Sequence, residues 1–253
     1  MITPADSLKY GLSQVHESEQ HSDCTIVCGP YHFKVHKVIL AIQSKYFKTA
    51  FKNGTFKEGK NGVIELKAAD GDTEEFDEAC DDPEIVKLMV EYFYHLDYPR
   101  PKDSTTSTKS TRQSTKKLRY SHPTWDSSGQ ETPPQAFDAE QPNVNLMQHA
   151  KLFAMAVKYQ IDGLRHLTTQ KFKEAVATQW SHEDFAHTIH IVYNSTAEDV
   201  TELREIVADA VHAHFEELQE RPGVEASMRS IAALTYGLLT RSRERNRNKG
   251  YYY

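Results

Sequence analysis

The stretch that decides the fold is His21-Ser22-Asp23-Cys24-Thr25-Ile26-Val27-Cys28-Gly29-Pro30-Tyr31-His32-Phe33-Lys34-Val35-His36-Lys37-Val38-Ile39-Leu40. Residues 24–28 read as a strand, Gly29-Pro30 is a turn signal, and 31–35 alternates as a second strand, so the two form a hairpin. At His36 the period changes. Val38, Ile39, Leu40 and Ile42 make a short apolar helix. Ser44 suits the N-cap of a second helix, because its hydroxyl can accept an orphan backbone N–H. Phe47, Ala50 and Phe51 follow at helical spacing, and Asn53-Gly54, both tolerant of a left-handed backbone, close that helix. A turn over 59–62 leads to a short strand, Val63-Ile64-Glu65-Leu66.

Further along, 70–82 is an acidic loop. Asp82-Pro83-Glu84 is a helix start: a capping carboxylate, a proline where no N–H is needed, and an acid at the positive helix end. Ile85, Leu88, Met89, Tyr92 and Phe93 then make one apolar face. The composition shifts at Tyr98-Pro99. Residues 100–120 carry seven Lys/Arg against Asp103 alone, while 121–142 carry four acids and no Lys or Arg. With few aliphatics, this Ser/Thr/Pro-rich segment buries too little apolar area to offset its ordering entropy, and disorder is expected. Asn143 suits a helix cap, Met147, Ala150, Ala154 and Val157 form the next apolar stripe, and Ile161-Asp162-Gly163 turns the chain. Helices are expected from 164 to about 177, at 182–194, at 198–219 and at 225–240, with a break at Arg221-Pro222-Gly223 and a basic tail from 241.

The ordered blocks resemble a BTB/POZ domain. The Ser22-Asp23 hairpin, Phe33-Lys34-Val35-His36-Lys37 with Leu40, and Ser44-Lys45-Tyr46-Phe47 match the family's opening pattern. Val63-Ile64-Glu65-Leu66 resembles its next strand, 82–98 its Tyr-rich helix, and 149–159 with 161–164 its later helices. The style resembles the short fungal BTB proteins. The resemblance implies an α+β BTB/POZ fold, a small sheet with a helical cluster, plus a helical C-terminal extension. It divides the chain into an N-terminal lead (1–20), a first BTB part (21–98), a disordered insertion (99–143), the last BTB helices (144–176), the extension (177–240) and a basic tail (241–253). Asp23, His36, Lys37, Ser44 and Phe47 are then the fold signature, parts of the framework that satisfy backbone groups where strand becomes helix.

Composition narrows the chemistry. A net charge of -6 over 253 residues, with no zinc-finger pattern, gives no case for direct nucleic-acid binding. Three cysteines are too few for a disulfide scaffold. No leader or membrane-length apolar run is visible, so a cytoplasmic or nuclear location is expected. Cys24, Cys28, His32 and His36 are spaced four apart, but four residues of strand span roughly 13 Å, too far for zinc ligands to converge. His182 and His187 miss the H-E-x-x-H spacing by one place. Cys80 lies among acids that blunt a thiol nucleophile. No catalytic constellation, metal site or cofactor motif is found, and no enzyme activity is expected.

The resemblance points instead to protein partners. Phe56-Lys57-Glu58 resembles the hydrophobic-x-Glu element by which BTB adaptors engage a cullin scaffold, with Phe56 as anchor and Glu58 fixing register. The first functional reading is a non-enzymatic interaction module acting as a cullin-type ubiquitin-ligase adaptor. The alternative is a scaffold or transcription-associated factor acting through protein partners, with 100–119 and 241–249 as basic segments for nuclear import or acidic surfaces. The family forms homodimers through an N-terminal helix. The lead here has sparse apolar content (Leu8, Tyr10, Leu12, Val15), so a full dimerisation helix is not expected and homodimerisation is left open.

Overall fold

The computed structural model describes residues 3–52, 61–68, 81–99 and 146–249, all within one compact unit. Phe56, Glu58, Cys80 and all of the expected insertion (99–143) except Pro99 lie outside these residues.

A three-stranded sheet in the order β2-β1-β3 forms the frame. Strands β1 (Cys24–Cys28) and β2 (Tyr31–Val35) pair antiparallel, with Cys28 opposite Tyr31. The two-residue turn works because Gly29 sits at φ +54°, a conformation open to glycine and favoured at the first position of a type II′ hairpin. Strand β3 (Val63–Leu66) lies parallel to β1 on its other side. A parallel neighbour requires a crossover, and this one contains helices α2 (Lys37–Gln43) and α3 (Lys45–Ala50). Cys24, Ile26 and Cys28 alternate into the core with Ile64 and Leu66 beside them. Helix α3 ends at Ala50 with Phe51 as C-cap, so it stops before Asn53.

The lead is a helix. α1 spans Pro4–Ser18 and opens on a capping box in which the Thr3 hydroxyl accepts from the Asp6 N–H and the Asp6 carboxylate accepts from the Thr3 N–H. A 15-residue helix therefore forms despite the sparse apolar content of the lead. Its stripe is sparse because α1 buries no residue completely. It rests on Leu12, half-buried against the core, and on His16, whose ring stacks on Tyr94 at 4.4 Å.

Helix α4 (Pro83–His95) starts as its sequence dictates, with the Asp82 carboxylate accepting from the Glu84 N–H. The expected stripe lies in or against the core, but Val86, Val90 and Tyr94 are buried too, so α4 is enclosed on more than one face. Helix α5 (Leu146–Lys158) is also two-faced. Leu152, Met155 and Ala156 join the sheet's core, while Leu146, Ala150 and Phe153 join a second core built with the C-terminal helices. The single stripe through Met147, Ala154 and Val157 is corrected on this point, since all three are only half-buried.

Helix α6 (Asp162–Gln179) continues through the expected boundary at 176, with Phe172 and Val176 in the second core. Then come α7 (Phe185–Asn194), α8 (Glu202–Ala213), a short α9 (Phe215–Leu218), α10 (Pro222–Ser230) and α11 (Ala232–Lys249). The expected helix 198–219 is divided into α8 and α9, the expected helix 225–240 is divided at Ile231 into α10 and α11, and the helix expected from 182 starts at Phe185. Pro222 opens α10 at a position that needs no N–H, rather than ending a segment. The expected tail from 241 continues α11 as far as Lys249, where Arg241 reaches Asp209 at 2.6 Å and also pairs with Glu205, tying the helix to α8. Among the described residues no helix is long and apolar enough to cross a membrane.

Candidate interaction surface

The signature residues sit at the corner where β2 becomes α2. The Asp23 carboxylate accepts from the Lys37 N–H at 2.7 Å and so supplies the cap that His36, whose ring makes no capping bond, does not. His36 is buried. Its Nε2 lies 2.7 Å from the Gln20 carbonyl, which only accepts, so Nε2 carries the proton. In the tautomer with the proton on Nε2, Nδ1 accepts from the Tyr94 hydroxyl at 2.8 Å, and that hydroxyl accepts from the His36 N–H at 3.0 Å. Burial pushes the Tyr94 hydroxyl up to about 12, keeping the donor protonated. One closed network thus ties the hairpin's exit to α4.

Ser44 makes the second tie. Its hydroxyl accepts from the Phe47 N–H at 3.1 Å and donates to the Tyr159 carbonyl at 2.6 Å, 115 residues later. Phe47, fully buried, stacks on Phe51 and Tyr159 and meets Phe93 edge-on. Residues after the expected insertion therefore complete the core begun before it.

The remaining polar clusters are already paired. Burial first, then the Asp81 charge beside it, holds the Tyr159 phenol protonated, and it donates to Asp81 at 2.7 Å while Lys158 reaches the same carboxylate at 2.9 Å. A cavity of about 450 Å³ borders Asp81, Asp82, Lys151 and Lys158, and Lys151 pairs with Asp82 at 2.9 Å. Cys24 and Cys28 face the core, where burial pushes both thiols up to about 11. His32 is exposed on β2, so the cysteines and histidines spaced four apart do not converge. His182 precedes α7, with its Nδ1 accepting from the Asp184 N–H at 3.2 Å, so it does not share a helix face with His187.

What stands open is the outer side of α2. Ile39 and Leu40 enter the core, whereas Val38 and Ile42 are 67% and 76% exposed. They are one helical turn apart and so share a side. With Ala41 they line a shallow depression of about 440 Å³, whose polar edge is Lys45, Lys48, Gln160 and Asp162. Lys45 pairs with Asp162 at 2.8 Å across that edge, and both side chains are 71% exposed, so the pair adds little stability. An exposed apolar patch rimmed by charge is what a protein-docking site presents. Reading 38–42 only as an apolar helix missed this surface, although the signal was present. At about 100° per residue, 38 and 42 lie roughly 40° apart while each points about 160° away from 40, so a helix that buries Leu40 must turn both toward solvent. Phe56 and Glu58, the other candidate contacts, lie outside the described residues.

The BTB/POZ domain family model matches residues 12–108 of the chain. No curated protein matches it. The matched span takes in the end of α1, the hairpin, the Asp23 and His36 corner, α2, the Ser44 cap and α4, so over these residues the chain carries a BTB/POZ domain, a protein–protein interaction module.

Proposed function

We propose that the outer face of α2 and the segment following α3 together dock a cullin-type scaffold, making this protein a ubiquitin-ligase adaptor. The observation that carries the reading is the exposure of Val38 and Ile42 on a helix whose other side is core. Folding alone gives no return for apolar side chains left in water at about 25 cal/mol per Å², whereas a partner helix seated there would recover it. Lys45 and Lys48 set a basic edge that favours an acidic flank on the partner. Phe56-Lys57-Glu58 follows α3 closely in sequence and would add the anchor and its register. The test is binding of purified chain to a purified cullin N-terminal fragment by biolayer interferometry. Ile42→Asp and the pair Phe56→Ala with Glu58→Ala should each weaken it by about 2 kcal/mol or more, the cost typical of a central contact. Absence of wild-type binding sinks the cullin reading. If the same face captures another protein, the scaffold reading replaces it.

A further inference from the structure

We infer a transition-metal site between α1 and α4, built from His16, Glu91 and His95, that takes Zn²⁺ or a similar borderline cation and clips the N-terminal helix to the domain. Glu91 and His95 are one turn apart on α4 and already meet, His95 Nε2 lying 3.1 Å from Glu91 Oε2. His16 comes from the last turn of α1, and one ligand atom from each of the three residues lies within 4.8 Å of the others. Zinc bonds of about 2.1 Å place tetrahedral ligands roughly 3.4 Å apart. No pair therefore has to close by more than roughly 1.4 Å, which half-buried side chains reach by small rotations. Two imidazoles and a carboxylate suit zinc and its neighbours rather than magnesium or calcium, and leave one position for water.

The surroundings position the ligands. The His16 ring lies on the Tyr94 ring at 4.4 Å and nearly parallel, and Tyr94 is itself fixed by His36. The site also has something to do, because α1 buries no residue completely and rests on the domain by few contacts. A cation shared between α1 and α4 would couple the order of the N-terminal helix to metal supply.

The test uses the full chain, stripped with EDTA and titrated with ZnCl₂ by calorimetry. Wild type should show one saturable zinc site and no response to MgCl₂, and added zinc should slow amide hydrogen exchange in Pro4–Ser18. His16→Phe keeps an aromatic ring on Tyr94 but removes the ligand; His95→Ala removes the second nitrogen. Each should weaken binding by at least about tenfold, a loss that even an outer partner of a metal ligand commands, and His16→Phe should abolish the exchange effect. Electron paramagnetic resonance with Cu²⁺ provides a readout independent of stability, expected to show two histidine nitrogens in wild type and one in each variant. With 13 histidines in the chain, adventitious binding elsewhere is the rival outcome. Zinc binding that survives both variants unchanged overturns the inference, and so does a wild type that binds none.

Discussion

Ser44→Ala deletes one oxygen, yet that oxygen joins two stretches of chain 115 residues apart. Two bonds are lost. The first caps α3 through the Phe47 N–H, worth about 1 kcal/mol. The second satisfies the Tyr159 carbonyl at 2.6 Å in a buried site, and leaving such a group unpaired costs about 1–3 kcal/mol. Removing a single hydroxyl leaves too small a void for a large cavity cost, so the total is about 2–4 kcal/mol. For a chain of this size that lowers Tm by roughly 5–15 °C. Urea denaturation followed by circular dichroism reads it directly: the midpoint should fall while the slope stays unchanged, because the folded surface is the same. A loss below about 0.5 kcal/mol would refute the reasoning. It would mean that Ser44 does not join the residues around 159 to the first half of the core.

Two further outcomes follow from the same geometry. Because burial pushes the thiols of Cys24 and Cys28 up to about 11, neither should react quickly with Ellman's reagent at pH 8 in the native protein; rapid reaction of more than one of the three thiols per chain contradicts the buried β1 face. Burial raises the Asp97 carboxyl, but the Lys171 ammonium at 2.5 Å and the Tyr98 N–H outweigh it and hold its pKa below the ordinary value. Its stabilising effect is therefore present above about pH 4 and lost as pH falls further. The gap in urea midpoint between wild type and Asp97→Asn should shrink from pH 6 to pH 3, and a constant gap rejects the pairing. The carboxylate is 64% exposed, so the gap will be small.

The parts of this fold that were legible in the sequence are those set by local chemistry. Gly29-Pro30, the Ser44 cap and Asp82-Pro83 each satisfy a backbone need within a few residues, and the structure places a turn and two helix starts there. What escaped depended on distant partners. Helix α1 has little apolar stripe because none of its residues is fully buried, though its Thr3 and Asp6 box was visible. Helix α5 reads as one stripe until a second core appears behind it, and periodicity cannot show two faces when both are covered. Arg241 looked like part of a charged tail because Glu205 and Asp209 lie more than thirty residues upstream, across α8. At the candidate site part of the framework was legible, since Asp23 caps the strand-to-helix corner and Ser44 caps α3, while the bonds of His36 to Tyr94 and of Ser44 to Tyr159 needed the folded chain. The working face was not, because the exposure of Val38 and Ile42 depends on which side of α2 the core occupies. The spacing of Glu91 and His95 is likewise readable, but His16 joins them only once α1 is folded back.

The most direct measurement of the central claim is quantitative affinity purification with mass spectrometry, comparing wild type with Ile42→Asp at matched expression and matched unfolding midpoint. The substitution places a charge where a side chain is 76% exposed, so the fold should tolerate it. If the outer face of α2 is the docking surface, wild type recovers a cullin-containing partner set and Ile42→Asp loses it. Identical partner sets from the two proteins would contradict the account.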